Sequence, residues 1–152
     1  MDINEKFMNE ALKEALKAYD KAEVPIGAVI VKDNKVIARA HNTKETTFNP
    51  CAHAEVLVIE KAAKKLKSWR LTGCKMYVTL EPCPMCARAI INSRLDEVYI
   101  GTMDKKTGAL GSVFNLVEDY KFNHKPKIIY EIKQNECQKI LKDFFKCLRS
   151  TK

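Results

Sequence analysis

Three side chains with soft or borderline donor atoms and one carboxylate lie in two short stretches: His53-Ala54-Glu55 and Pro82-Cys83-Pro84-Met85-Cys86. One imidazole and two thiolates make a three-ligand set for zinc, and such a set leaves the fourth tetrahedral position open to water, as catalytic zinc requires. Zinc lowers the pKa of bound water to about 7, so hydroxide is available at neutral pH. Glu55 is then the candidate proton carrier. It takes the proton from the attacking water and returns protons to a ring nitrogen and a departing amine at an amidine-like carbon. A lone C-x-x-C pair also occurs in structural zinc sites and redox pairs. A structural site closes with a fourth Cys or His, and here Cys51, two residues before His53, is the one cysteine placed to do so. That alternative stays open at this level. Cys74, Cys137 and Cys147 read as small buried or half-buried hydrophobes.

The elements that must carry these residues follow from periodicity and turn chemistry. Asp2 with Glu5 forms a helix-capping pair, and Ile3, Phe7, Met8, Ala11, Leu12, Ala15, Leu16 and Tyr19 recur at helical spacing, which predicts a helix over residues 3–19. Gly27–Val31 and Lys35–Ala40 read as a hairpin about Asp33-Asn34, followed by a polar loop over 41–50. A helix is expected over 52–66, with His53 and Glu55 near its start. Residues i and i+2 point to opposite sides in mid-helix, so only an irregular entry turn lets both reach one cavity. Lys75–Leu80 reads as a strand. Pro84–Asn92 reads as a helix with proline at its favoured first position, putting Cys83 and Cys86 one turn apart on one face. Strands at Glu97–Gly101 and Lys127–Ile132 and a closing helix at Cys137–Leu148 complete the series. This order predicts an α/β fold, a three-layer α/β/α sandwich around a five-stranded mixed sheet, with residues 1–152 as a single domain.

Bulk properties narrow the class. The chain has 152 residues, 46% hydrophobic and 30% charged, enough for one core without disulfide staples. Charges run through the N-terminal segment, so no signal peptide or membrane span is expected, and six unpatterned cysteines point to reduced thiols in the cytoplasm. The net charge of +8 favours a polyanionic partner such as nucleic acid, although a lysine-rich solvated surface would look the same.

The segments Val24–Val29, His41-Asn42, Ala52–Glu55 and Tyr77–Cys86 resemble the bacterial tRNA-specific adenosine deaminases of the cytidine deaminase superfamily. Lys106–Ser112, Phe122-Asn123-His124 and Asp143–Lys146 resemble these tRNA enzymes rather than nucleoside, nucleotide or guanine deaminases. The resemblance implies a cytidine deaminase-like fold and hydrolysis of adenosine to inosine at the wobble position of a tRNA anticodon. It also implies one Zn2+ per subunit on His53, Cys83 and Cys86, with Glu55 as the catalytic proton shuttle. Asn42 would hydrogen-bond the flipped base, and Asp104, Lys106, Asn123, His124, Phe145 and Arg149 would contact the anticodon stem-loop, in a homodimer. Each has a plainer reading. Asn42 could satisfy its own loop, Asp104 could hold a turn, His124 could be solvated, Phe145 could be core and Arg149 a frayed end. The alternative activity is that of a guanine or cytosine-type deaminase on free bases or nucleosides, with the same metal chemistry. Two residues depart from the family: Cys51 stands where many relatives carry a small hydroxyl residue, and Arg88 where a small residue is common. Arg88 is expected to face solvent or pair with an acid.

Overall fold

Asp2 starts the first helix as read from the sequence: its carboxylate accepts from the backbone N–H of Asn4 at 2.6 Å and of Glu5 at 3.1 Å. In the computed structural model, which describes residues 2–150, α1 then spans Ile3–Asp20. The hairpin follows as β1 (Gly27–Lys32) and β2 (Lys35–His41). Its two turn residues, Asp33 and Asn34, both take positive φ, the combination a two-residue type I′ turn needs. After α2 (Ala54–Leu66) come β3 (Cys74–Leu80), α3 (Pro84–Ser93), β4 (Glu97–Thr102), the single-turn α4 (Leu116–Asp119), β5 (Lys127–Ile129) and α5 (Gln134–Ser150).

The sheet order is β2-β1-β3-β4-β5. β1 runs antiparallel to both neighbours, whereas β3, β4 and β5 are parallel, so the sheet is mixed as expected. Alternation along the strands divides the interior in two. Ala28, Ile30, Met76, Val78, Val98 and Ile100 pack with α2 and α3 through Val58, Ala62, Ala87, Ile90 and Ile91. Val29, Val31, Tyr77 and Tyr99 pack on the other face with Phe7, Met8 and Ala11 of α1 and Cys137 of α5. Three layers result, and no helix among the described residues is long and apolar enough to cross a membrane.

Three local expectations change. β5 stops at Ile129 rather than Ile132, because Glu131 and Lys133 take positive φ and only the Ile132 N–H still reaches back, to the Ile100 carbonyl. α4 was not evident from periodicity, since one turn is too short to show any; Asn115 caps it through Glu118 N–H. Cys147 is exposed on α5, while Cys74 and Cys137 are buried as expected.

The topology brings one set of chain ends together. The start of β1, the end of β2 and the C-terminal ends of β3 and β4 lie at one edge of the sheet: Gly27 pairs with His41 and Leu80 with Thr102. The Gly27 N–H also donates to Thr79 Oγ1 at 3.1 Å. Both α2 and α3 begin at this edge.

Candidate active site

His53 is the residue before α2, with extended backbone (φ −83, ψ 148), and Cys83 holds the same position before α3 (φ −74, ψ 173). Neither side chain caps its own helix, so both are free to face each other. The helix begins at Ala54, not at residue 52. This extended entry allows His53 and Glu55 to lie near enough to interact, which positions i and i+2 of a continuous helix would not. Asn42 sets the entry: its Oδ1 accepts from the Ala54 N–H at 2.8 Å, across the base of the intervening loop.

His53, Cys83 and Cys86 come together with one ligand atom from each within 4.8 Å of the others. His53 Nδ1 lies 3.7 Å from Cys83 Sγ and 3.5 Å from Cys86 Sγ. Tetrahedral zinc at ordinary Zn–N and Zn–S lengths would separate nitrogen from sulfur by about 3.6 Å. The trio therefore fits a metal of this type. Cys51 is exposed and is not part of the group, which removes the closed four-ligand alternative; its backbone N–H donates to Asn49 Oδ1 at 2.9 Å.

The electrostatics of the trio show the same disposition. Hydrogen bonding from Cys86 pulls the Cys83 thiol down to about 4, with burial opposing and His53 assisting. The same contact drives Cys86 upward, aided by its burial. His53 is raised by its contact with Cys83, against burial. Without a cation, the half-buried Cys83 and the buried Cys86 are pushed in opposite directions; a bound cation lets both ionise.

Glu55 is buried beside them, and burial pushes its carboxyl up to about 7. Its Oε1 has no hydrogen-bond partner. A buried carboxylate oxygen left open next to a metal-type trio is a place for a proton to arrive and leave.

Two further buried glutamates build the walls, and neither stands out in the sequence. Glu81, directly before Pro82-Cys83, accepts from the N–H groups of Asp104 (2.9 Å), Leu110 (3.0 Å) and Ser112 (3.0 Å), and from the Ser112 hydroxyl. It thereby folds the 103–112 loop against the site, and Ala109 N–H adds a bond to the Pro82 carbonyl at 2.8 Å. A side chain at Gly108 would collide with the Glu81 carboxylate. Glu23 does the same for the 43–52 loop, accepting from Glu45 N–H (3.0 Å), Thr46 N–H (2.6 Å) and Thr46 Oγ1 (2.6 Å). The available signal was a lone acid at the margin of an apolar run, before Val24-Pro25 and before Pro82, which alone does not separate a buried acid from a surface one.

The remaining expected contacts are spread more widely. Asp104 uses its carboxylate on Lys106 N–H, Thr107 N–H and Thr107 Oγ1, so it shapes the turn that presents the exposed Lys106. His124 Nε2 lies 2.6 Å from the Leu95 carbonyl and must donate to it. Leu95 follows the far end of α3, and ten helical residues set that end about 15 Å from Cys83. Neither His124 nor the exposed Asn123 is brought to the trio. Arg88 lies over the Phe122 ring, 4.3 Å from its centroid, so its cation has an aromatic rather than an acidic partner. On α5 it is Phe144 that packs inward, 5.6 Å from Tyr19, leaving Phe145 at 41% exposure and Arg149 exposed in the last turn.

A three-layer sandwich with an N/S/S metal trio and a free carboxylate at two converging helix starts is the arrangement of a hydrolytic nucleobase deaminase. Comparison agrees. A family profile described as MafB19-like deaminase matches residues 2–149. The chain is 49% identical over 152 residues to the tRNA-specific adenosine deaminase of Bacillus subtilis (strain 168), covering 100% of this chain and 94% of that one. It is 44% identical over 146 residues to the enzyme of the same name from Aquifex aeolicus (strain VF5), covering 96% of each. A structure from biochemical and structural studies of A-to-I editing by tRNA:A34 deaminases at the wobble position of transfer RNA superposes with a TM-score of 0.87. It shares 42% identity, over 90% of this chain and 99% of that one. The chain belongs to the MafB19-like deaminase family, among relatives that carry the name tRNA-specific adenosine deaminase.

Proposed function

We propose that this deaminase hydrolyses adenosine to inosine at the wobble position of a tRNA anticodon, with one zinc ion per subunit held by His53, Cys83 and Cys86. The observation that carries the reading is the trio, spaced for zinc, with the buried Glu55 beside it keeping one oxygen unpartnered, in a chain of this family. Zinc supplies the Lewis acidity that makes water nucleophilic near neutral pH. Glu55 takes a proton from the attacking water and delivers it to N1 of the adenine ring. It then passes the second proton to the exocyclic amine as the C6–N6 bond breaks. One water is consumed, the ring carbon ends as a carbonyl, and ammonia leaves. One carboxylate serves both transfers because they occur in sequence.

Asn42 positions the base. Its Oδ1 is held by Ala54 N–H, so only its NH2 group remains to be offered, and it faces a base acceptor as a donor. Asp104 and Lys106, in the loop beside Cys83, contact nucleotides next to the target. Phe145 and Arg149 contact the RNA from the end of α5. Asn123 and His124, beside the far end of α3, contact RNA beyond the reacting nucleotide or the RNA held by the other subunit of a homodimer. An anticodon loop suits such a site: its bases are already partly unstacked, which reduces the few kcal/mol a base must expend to leave its stack. The net charge of +8 suits the phosphate backbone, and the substrate places the enzyme in the cytoplasm.

Incubating the purified protein with tRNA, adenosine, cytidine and guanine tests the reading. Inosine is expected at the first anticodon position only, with about one zinc per chain, and activity lost on chelation and restored by zinc. Ammonia from a free base with no inosine in tRNA would assign the chain to the guanine or cytosine-type activity instead.

A further inference from the structure

Phe48 is 93% exposed, the most exposed large apolar side chain among the described residues. Its backbone is also left-handed, with φ 54, which is unfavourable for an aromatic residue and suits glycine or asparagine. Neither property helps the chain fold. Both would be relieved by a small polar residue in a surface loop.

The loop itself is far from slack. Thr43 N–H donates to the Ala52 carbonyl at 3.1 Å and closes its base, next to Asn42 and His53. Thr47 N–H reaches the Thr43 carbonyl at 2.9 Å, Asn49 N–H the Lys44 carbonyl at 3.1 Å, and Ala52 N–H the Asn49 carbonyl at 3.1 Å. Glu23, from the end of the α1–β1 connection, braces Glu45 and Thr46 from below. The result is a stiff arm, rooted on two site residues, that holds a bare aromatic ring at its tip.

We infer that Phe48 is a stacking platform for the nucleobase adjacent to the one that enters the pocket. It is a positioning residue, and the Glu23-braced arm sets its place. The inference rests on the proposed RNA substrate. When a base is withdrawn from a single-stranded loop, its neighbour loses a stacking partner, and an aromatic face can replace it whatever that neighbour's identity. A ring already fixed on a hydrogen-bonded arm loses little freedom on binding, so more of the stacking energy appears as affinity.

The test uses wild type, Phe48→Ala, Phe48→Asn and Phe48→Tyr on an anticodon stem-loop RNA, with zinc content and Tm measured for each. Binding is measured in a Glu55→Gln background. Loss of the ring should raise Kd and KM roughly 5- to 100-fold, the range carried by one base–aromatic stack, and leave kcat within about twofold. Tyrosine should restore wild-type values. Phe48→Asn should raise Tm while weakening binding, since it relieves the left-handed backbone and removes the platform; a merely structural residue would move both in the same direction. Wild-type Kd in Phe48→Ala, in an enzyme that does form inosine, would overturn this inference alone. So would a shift in the mass of the assembly in light scattering on loss of the ring, which would make Phe48 an interface residue. A wild type that neither binds the stem-loop nor forms inosine would overturn both this inference and the function on which it rests.

Discussion

Glu55, Glu81 and Glu23 are buried to nearly the same degree, at 4%, 2% and 1% exposure, yet they differ in what their oxygens do. Glu81 accepts three backbone N–H groups and a hydroxyl, and Glu23 two N–H groups and a hydroxyl. Glu55 keeps Oε1 without a partner. Burial therefore does not separate the proposed proton carrier from the other two carboxylates; satisfaction does. A saturated carboxylate is a rivet, because each donor it gathers fixes another stretch of backbone. An unsaturated one costs stability and is left with lone pairs free for a proton. Around this site the two kinds cooperate: Glu23 and Glu81 hold the two loops that flank the metal trio, and Glu55 stands between them.

Replacing each acid by its amide should separate these roles. Glu55→Gln should lower turnover by on the order of 10³-fold, since it removes the general acid–base group. Zinc content and stem-loop Kd should stay at wild-type values and Tm should not fall; retention of a tenth of the activity would break the contrast. Glu81→Gln turns an NH2 group toward donors that needed an acceptor. It should lose on the order of 3 kcal/mol in urea unfolding, with kcat/KM falling as the 103–112 loop loosens. Unchanged stability would show that Glu81 is not the rivet. The smallest effect is expected at Glu23. Burial works to raise its pKa, but hydrogen bonds from Thr46 and Glu45 prevail and hold it below 4.5. A folded pKa lower than the unfolded one means its stabilisation is fully present above pH 4.5 and is lost as pH falls from there through the folded value. Glu23→Gln should thus flatten the acid limb of stability against pH by up to about one proton, as measured by unfolding at a series of pH values.

How much of this could be read without the fold depends on the distance over which each feature is decided. Cys83 and Cys86 sit one turn apart because Pro84 starts a helix between them, and a proline and a three-residue spacing are visible in any sequence. The helix after His53 was visible too, but its first residue was not. His53 stays extended because Asn42, twelve positions before Ala54, takes up the first N–H, and that bond exists only once the loop has closed. Arg88 has the same history. Its partner, the Phe122 ring, arrives with the segment after α4, where periodicity offers nothing to read. His124 finds the Leu95 carbonyl 29 positions away, which turns an expected loop histidine into a tether at the far end of α3.

The linear order of residues determined the candidate donor set, the acid proposed to carry protons, the start of α3 and the alternating strands, because those depend on neighbours a few bonds away. The tertiary structure decided which of three glutamates is left open, that Cys51 stays outside the trio, and that Phe48 is held out bare on the loop that leads into His53. Each of these hangs on contacts between segments distant in the chain, and such contacts exist only after β1 has inserted between β2 and β3 and gathered their ends at one edge.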